Sequence, residues 1–222
     1  MAVVAHPDDE VLSCGATLAR LSTEAEVHIR ILGEGLTSRY ASREAAAAAE
    51  VSRLWEDARD VGRLLGAKSV EGAGLPDNRF DTVALLDVIK RVEAWLAEIV
   101  PDTVYTHHPG DLNIDHVITA RAVLTATRPV AGCPVREVYM GEVPSASEWA
   151  FQSFAPVFRP NVFVDVSETI ETKIEAMRRY EGEARAFPHP RSAEALRAIA
   201  QRWGSVAGVT HAEAFELVRS VR

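Results

Sequence analysis

Short apolar runs alternate with longer stretches in which apolar residues recur every three or four positions, starting at the second residue of the chain. Residues 2–5 are apolar throughout, which predicts a strand buried on both faces. Residues 11–21 repeat with helical period and bring Val11, Leu12, Leu18 and Leu21 near one face. Cys14 lies in this apolar stretch and reads as a core residue. Residues 26–32 alternate, predicting a second strand, and the glycine-bearing stretch 33–42 predicts a loop. Residues 43–65 read as a long alanine-rich helix closed by Gly66.

Residues 69–75 predict a third strand and Pro76-Asp77-Asn78 a turn. Asp81 or Thr82 is expected to cap a helix running to Val100, where Pro101 stops it. Residues 103–106 predict a fourth strand and residues 114–127 another helix. Beyond Arg128-Pro129 the pattern changes. Residues 137–143 and 160–166 read as strands, paired as an edge hairpin or forming a small β subregion, and residues 168–183 and 192–204 as helices. Strand–helix alternation of this kind predicts a mostly parallel sheet with helices on both faces, whose sites lie beyond the carboxyl ends of the strands. Three polar clusters fall there: HPDDE at 6–10, GEGLTSR at 33–39 and HHPGDLNIDH at 107–116.

Composition narrows the function. The 222 residues are 47% hydrophobic and 25% charged, an ordinary soluble composition with enough chain for a large core. A net charge of −8 without a Lys/Arg cluster argues against nucleic acid as a partner. No apolar run is long enough for a membrane span, and the first residues do not resemble a signal peptide, so the expected location is cytoplasmic. Two lone cysteines without metal-binding spacing make a thiolate metal site unexpected. A serine-hydrolase elbow and a dinucleotide-binding glycine fingerprint are both missing.

The chemistry concentrates at the first strand end. His6 and Asp9 are three apart on a turn entering a helix, so both side chains can converge on one divalent ion, with Pro7 fixing the turn between them. Asp8 then lies beside the ion, free to take a proton from a water. The competing reading makes His6 a capping or core histidine and the acids a solvated helix start. The third ligand is best supplied by His116, with His107 and His108 as rivals; Asp115 is expected to orient a neighbouring side chain or cap the helix. Arg39 and Arg43 follow the second strand and could grip a sugar hydroxyl or phosphate, although Arg43 equally suits an ion pair with a neighbouring acid. Asp77 and Asn78 sit at another strand end, while His189 and Arg191 lie on a proline-flanked loop; all four are candidate cleft residues. Trp149 could stack on a sugar or a base, although a core position is the favoured reading.

HPDDE after the first strand, with a distant D-x-N-x-D-H, resembles the LmbE/PIG-L family of zinc-dependent N-deacetylases. That resemblance implies a Rossmann-like three-layer sandwich occupying 1–222 as one domain, with a core at 1–130 and a C-terminal α/β extension at 131–222. It further implies removal of acetyl groups from N-acetylglucosamine-type small molecules, with Zn2+ held by His6, Asp9 and His116 and Asp8 as general base. Fe2+ or Co2+ would tolerate the same donors. Members of the family often carry a histidine three residues before the third ligand, where this chain has Asn113. Asparagine can donate to an oxyanion but cannot act as an acid, leaving Asp8 acting twice, His189, His107 or His108 to protonate the leaving amine. Two other functions compete. Magnesium-dependent phosphoryl transfer prefers oxygen ligands throughout, and a non-catalytic binding module has little use for Asp8. A symmetric homo-oligomer is compatible with all three.

Overall fold

A computed structural model describes residues 1–222. Its strands are β1 (Ala2–Val4), β2 (His28–Gly33), β3 (Ser69–Leu75), β4 (Thr103–His107), β5 (Glu137–Gly141), β6 (Val162–Asp165) and β7 (Ala212–Ser220). The longer helices are α1 (Asp9–Leu21), α2 (Ala48–Leu64), α3 (Leu85–Ile99), α4 (Ile114–Ala126), α5 (Ile170–Arg179) and α6 (Ala193–Ala207). All strands join one sheet, ordered β3-β2-β1-β4-β5-β7-β6. The first five pair in parallel, and β7 runs antiparallel to both β5 and β6.

Alternation along β1 divides the interior. Ala2 and Val4 face a core built with Val11 and Leu18 of α1, Leu54 and Val61 of α2, and Ile174 and Met177 of α5. Met1, Val3 and Ala5 face the opposite core, with Val88, Val92 and Trp95 of α3 and Val123 of α4. The expected three-layer α/β sandwich is therefore the observed one. From β1 the chain moves outward to β2 and β3, then crosses back to β4 on the other side of β1. Strand order reverses between β1 and β4, and such a reversal opens a crevice at the carboxyl ends of those strands.

Four expectations fail locally. Neither Asp81 nor Thr82 caps α3: both lie in a separate 3-10 turn, Phe80–Thr82, and α3 begins at Leu85 with Ala84 as its N-cap. The helix expected from residue 43 begins at Ala48, and Arg43–Ala45 is a separate 3-10 turn. Arg43 is held outward there by three hydrogen bonds to Glu34 and one to the Gly74 carbonyl, which override the helical propensity of the alanines. β5 and β6 form no hairpin, because β7 lies between them. In β7 the strand-favouring Phe215 and Val218 are interspersed with two Ala and two Glu, so its local signal is weak, and pairing with β5 and β6 on either side holds it extended. Lastly, the final helix runs past residue 204 to Ala207, where Gly208 adopts φ +76°. The segment read as a C-terminal extension continues the same sheet and lends Ile174, Met177, Tyr180, Leu196 and Phe215 to the first core.

α1 bends at Cys14, whose φ/ψ of −142°/18° is not helical. A buried ion pair splints the bend. Glu213 accepts the Ala16 and Thr17 N–H groups at 3.2 and 2.7 Å, while Lys173 donates to the Leu12 carbonyl at 2.8 Å and to Glu213 at 2.6 Å. Backbone groups that a bend would strand are thereby satisfied. The half of α1 that carries Asp9 is thus tied to α5 and β7.

Candidate metal centre and active site

β1 ends at Val4, and the chain turns at once into α1. Asp8 caps the helix from a left-handed conformation (φ 103°), costly for a residue with a Cβ. Its amide donates to Glu10 Oε2 at 3.0 Å, and Tyr180 OH holds the other Glu10 oxygen at 2.6 Å. The His6 amide donates to Asp9 Oδ2 at 2.8 Å, closing the turn. This local geometry directs His6 and Asp9 to one point.

α4 supplies the distant partner. Asn113 caps it, accepting the Asp115 N–H at 2.9 Å, and His116 follows on the first turn. Asp9 Oδ2 lies 3.3 Å from His6 Nδ1 and 3.3 Å from His116 Nε2. One ligand atom from each of His6, Asp9 and His116 falls within 4.8 Å of the others, and the three residues line a single cleft. Both imidazoles are braced from behind. His6 Nε2 is 2.9 Å from Asp115 Oδ2, and His116 Nδ1 is 3.2 Å from Asp111 Oδ1. Asp115 also accepts the Phe80 N–H, and Asp111 accepts the Asn113 N–H and the Ser147 hydroxyl. Carboxylates behind metal-ligating histidines fix tautomer and orientation.

Electrostatics fit a cation in this position. Burial opposes charge on every group here. Even so, His116 and His107 hold Asp9 well below the usual carboxylate range, and Asp115 and Asp9 raise His6 well above its ordinary value. His116, despite its burial, is raised to about 9 by Asp9 and Asp111. Two imidazoles drawn to the protonated state around one carboxylate mark a point where positive charge is stabilised. Imidazole and carboxylate together are the donor types zinc takes.

Asp8 sits apart from these three. Its Oδ2 accepts from Arg191 Nη1 at 2.7 Å; the same nitrogen donates to Glu183 Oε2 at 2.8 Å, and Arg191 Nε donates to Ser145 Oγ at 2.7 Å. Burial pushes the Asp8 carboxyl well above its ordinary value, Arg191 opposes this, and the neighbouring Asp9 and Glu183 reinforce it.

The cleft has a volume of about 480 Å³ and contains His6, Asp8, Asp9, Arg39, Asp77, Asn78, Asn113, His116 and Arg191 among its walls. Asp77 reaches His6 Nε2 at 3.4 Å, and the Asn113 Nδ2 group donates to Asn78 Oδ1 at 3.0 Å. Some candidates lie elsewhere. Arg43 is engaged with Glu34 outside the cleft. His189 does not line the cleft: its Nδ1 accepts the Arg191 N–H at 3.1 Å and its ring meets Trp149 edge-on. The rival ligand His107 is stacked 4.1 Å behind His116, its Nε2 accepting the Ala5 N–H at 2.7 Å. His108 turns away to Gly110 and Phe158. Trp149, expected in the core, is 40% exposed and lines the cleft.

A family model described as "PIG-L: GlcNAc-PI de-N-acetylase" matches residues 1–127, more than half of the chain. The chain belongs to the PIG-L family. Among its relatives, the 1D-myo-inositol 2-acetamido-2-deoxy-alpha-D-glucopyranoside deacetylase of Mycolicibacterium smegmatis is 27% identical over 240 residues, covering 86% of this chain and 81% of that protein. Two solved structures share the fold. The N,N'-diacetylchitobiose deacetylase from Pyrococcus horikoshii superposes with a TM-score of 0.78 at 19% identity, over 98% of this chain and 82% of that one. GalB, the 4-carboxy-2-hydroxymuconate hydratase of Pseudomonas putida, does so with a TM-score of 0.75 at 22% identity, over 100% and 96%. One architecture thus carries two reactions, so the chemistry must be argued from the site.

Within this PIG-L chain, sequence reasoning assigned no site role to Asp111, Glu183 or Tyr180. Asp111 stands five residues before His116, a spacing that could have flagged it. Glu183 lies 175 residues from Asp8 and Tyr180 lies 170 from Glu10, and no local pattern connects them.

Proposed function

We propose that this chain is a metal-dependent N-deacetylase that hydrolyses the acetamide of an acetamido sugar or sugar conjugate to acetate and a free amine. The observation that carries the reading is the convergence of His6, Asp9 and His116 beside a carboxylate, Asp8, that is held by Arg191 and faces the same cleft. The family model and the M. smegmatis relative support the acetamido sugar as substrate class. His6, Asp9 and His116 would hold Zn2+, or Fe2+ or Co2+, which take similar donors. A divalent ion there supplies Lewis acidity, polarising a carbonyl and making water more acidic.

The remaining steps belong to the protein. Arg191 fixes Asp8 Oδ2, leaving the other oxygen of the carboxylate for a water. Asp8 takes a proton as the water oxygen bonds to the carbonyl carbon. Asn113 donates to the developing oxyanion through Nδ2, since its own carbonyl is committed to capping α4. Asp8 then returns the proton to the nitrogen as the C–N bond breaks. The same group acting twice removes the need for an acid at position 113. Asp111 and Asp115 keep the imidazoles oriented, and Arg39, Asp77 and Asn78 line the space for the sugar.

The test is Asp8→Asn assayed on zinc-loaded protein against a panel of N-acetylated sugars, with acetate and amine quantified together. Acetate release should fall by about 10²-fold or more, with bound zinc unchanged by atomic emission. Loss of zinc in this variant would make Asp8 a ligand. A wild-type protein that binds zinc yet releases no acetate from any member of the panel would overturn the reading.

A further inference from the structure

Asp8 and Asp9 are adjacent, yet their carboxylates meet different partners. Asp9 turns to His6 and His116, and Asp8 turns to Arg191. That division depends on the backbone of Asp8, which stands at φ 103°. A residue with a Cβ stays in such a conformation only where its surroundings hold it there. Asp8 is held at both ends. Its carbonyl accepts the Val11 and Leu12 N–H groups at 3.0 and 2.9 Å, at the start of α1. Its N–H donates to Glu10 Oε2 at 3.0 Å, a side chain reaching back over the helix start much as the acid of a capping box does.

Glu10 is fixed in turn by the end of α5. The Tyr180 hydroxyl donates to Glu10 Oε1 at 2.6 Å, and both residues are fully buried. The Tyr180 carbonyl accepts the Glu183 N–H at 2.8 Å. Glu183 Oε2 accepts from Arg191 Nη1 at 2.8 Å, and the same nitrogen donates to Asp8 Oδ2 at 2.7 Å. These bonds close a ring. It leaves Asp8 by the main-chain N–H, runs through Glu10, Tyr180, Glu183 and Arg191, and returns to the Asp8 carboxylate. Tyr180 is where its two halves meet. The hydroxyl governs the Asp8 backbone through Glu10, and the carbonyl governs the Asp8 carboxylate through Glu183 and Arg191. Asp8, Glu10, Tyr180 and Glu183 are all buried, so little water is at hand to replace a lost partner.

We infer that Glu10 and Tyr180 are positioning residues for the proposed hydrolysis. They hold Asp8 turned from the metal ligands toward Arg191, so that of two adjacent carboxylates one ligates and the other moves a proton. The effect on rate rests on the deacetylase reading; the effect on Asp8 geometry rests on the ring alone. A tyrosine–carboxylate bond serving only the fold would change melting and leave the kinetics of the folded protein as they were.

The experiment uses zinc-loaded Tyr180→Phe, Glu10→Leu and Glu10→Gln, each checked for folding. It measures zinc affinity, and kcat and KM on an N-acetylated sugar that the wild type hydrolyses. Tyr180→Phe and Glu10→Leu should lower kcat by at least about tenfold, since about 1 Å of misplacement costs about 10²-fold. KM and zinc affinity should stay near wild type, because the His6 N–H, not Glu10, closes the turn onto Asp9. In Glu10→Gln the amide oxygen still accepts the Asp8 N–H and the amide nitrogen can donate to the tyrosine oxygen, so kcat should stay near wild type. Added to Asp8→Asn, Tyr180→Phe should cost nothing further, since residues acting as a unit are not additive. An unchanged kcat in folded Tyr180→Phe, a loss that adds to that of Asp8→Asn, or Glu10→Gln as slow as Glu10→Leu overturns the inference. Should Glu10→Leu not fold, Tyr180→Phe carries the test. If the wild type releases no acetate, the deacetylase reading falls and crystal structures of the variants decide the ring. Asp8 should then leave the left-handed region or lose its bond to Arg191, and retention of both overturns the inference.

Discussion

Lys173→Met tests the splint across the bend of α1. Methionine keeps the apolar stem of lysine and removes its charge, so packing against α1 is largely preserved. Two contacts are lost: the donor to the Leu12 carbonyl and the counter-charge of Glu213. Both side chains are almost fully buried, at 7% and 5% exposure, so the stranded carboxylate has little water to turn to. Removing one partner of a buried pair costs about 3–5 kcal/mol, whereas exposed pairs are worth about 0–1 kcal/mol. A chain of this length loses about 2–4 °C of Tm per kcal/mol, giving a fall of roughly 6–20 °C. Lys173→Met with Glu213→Gln should recover about half of the loss or more, because the amide oxygen still accepts from α1 and no charge is stranded. Thermal and urea unfolding at one fixed zinc concentration measure both variants. A loss below about 1 kcal/mol in the single variant, or a double variant as unstable as the single, would refute the idea that this pair supports the bend.

Asp111→Ala should weaken zinc binding by about 10–100-fold by releasing His116, read by chelator competition; an unchanged affinity would show that Asp111 does not orient the ligand. His189→Ala should leave turnover without the roughly 10²-fold loss that removing an acid–base group brings, because the imidazole lies behind Trp149; a loss of that size would return it to the mechanism. Burial raises the Glu142 carboxyl above its ordinary value, against the Trp203 hydrogen bond. Its contribution to stability is present below the unfolded pKa of about 4.3 and is lost as pH rises through the elevated folded value. Glu142→Gln should therefore stabilise more at about pH 8 than at about pH 5, and a Tm difference independent of pH would contradict this.

Local order along the chain is enough to fix part of this protein. The apolar run before His6 makes a buried strand, and the three-residue spacing of His6 and Asp9 across a proline turn follows from adjacent positions. The alternation of periods to residue 127 makes the parallel core and puts the polar clusters at its strand ends, because short connections leave few topologies open. Tertiary structure decided the remainder. Which histidine joins His6 and Asp9 depends on the order reversal between β1 and β4; His107, nine residues nearer the N-terminus than His116, is placed behind it by the direction of β4 and its bond to Ala5. The Asp8–Arg191–Glu183–Arg39 chain joins three loops whose approach has no sequence periodicity. β7 has a weak strand signal of its own, from Phe215 and Val218 among Ala and Glu, and antiparallel pairing with both β5 and β6 holds it extended. Trp149 faces the cleft instead of the core because the turn that bears it sits at the crevice mouth. Periodicity reports which face of an element is apolar, and only packing determines what that face meets.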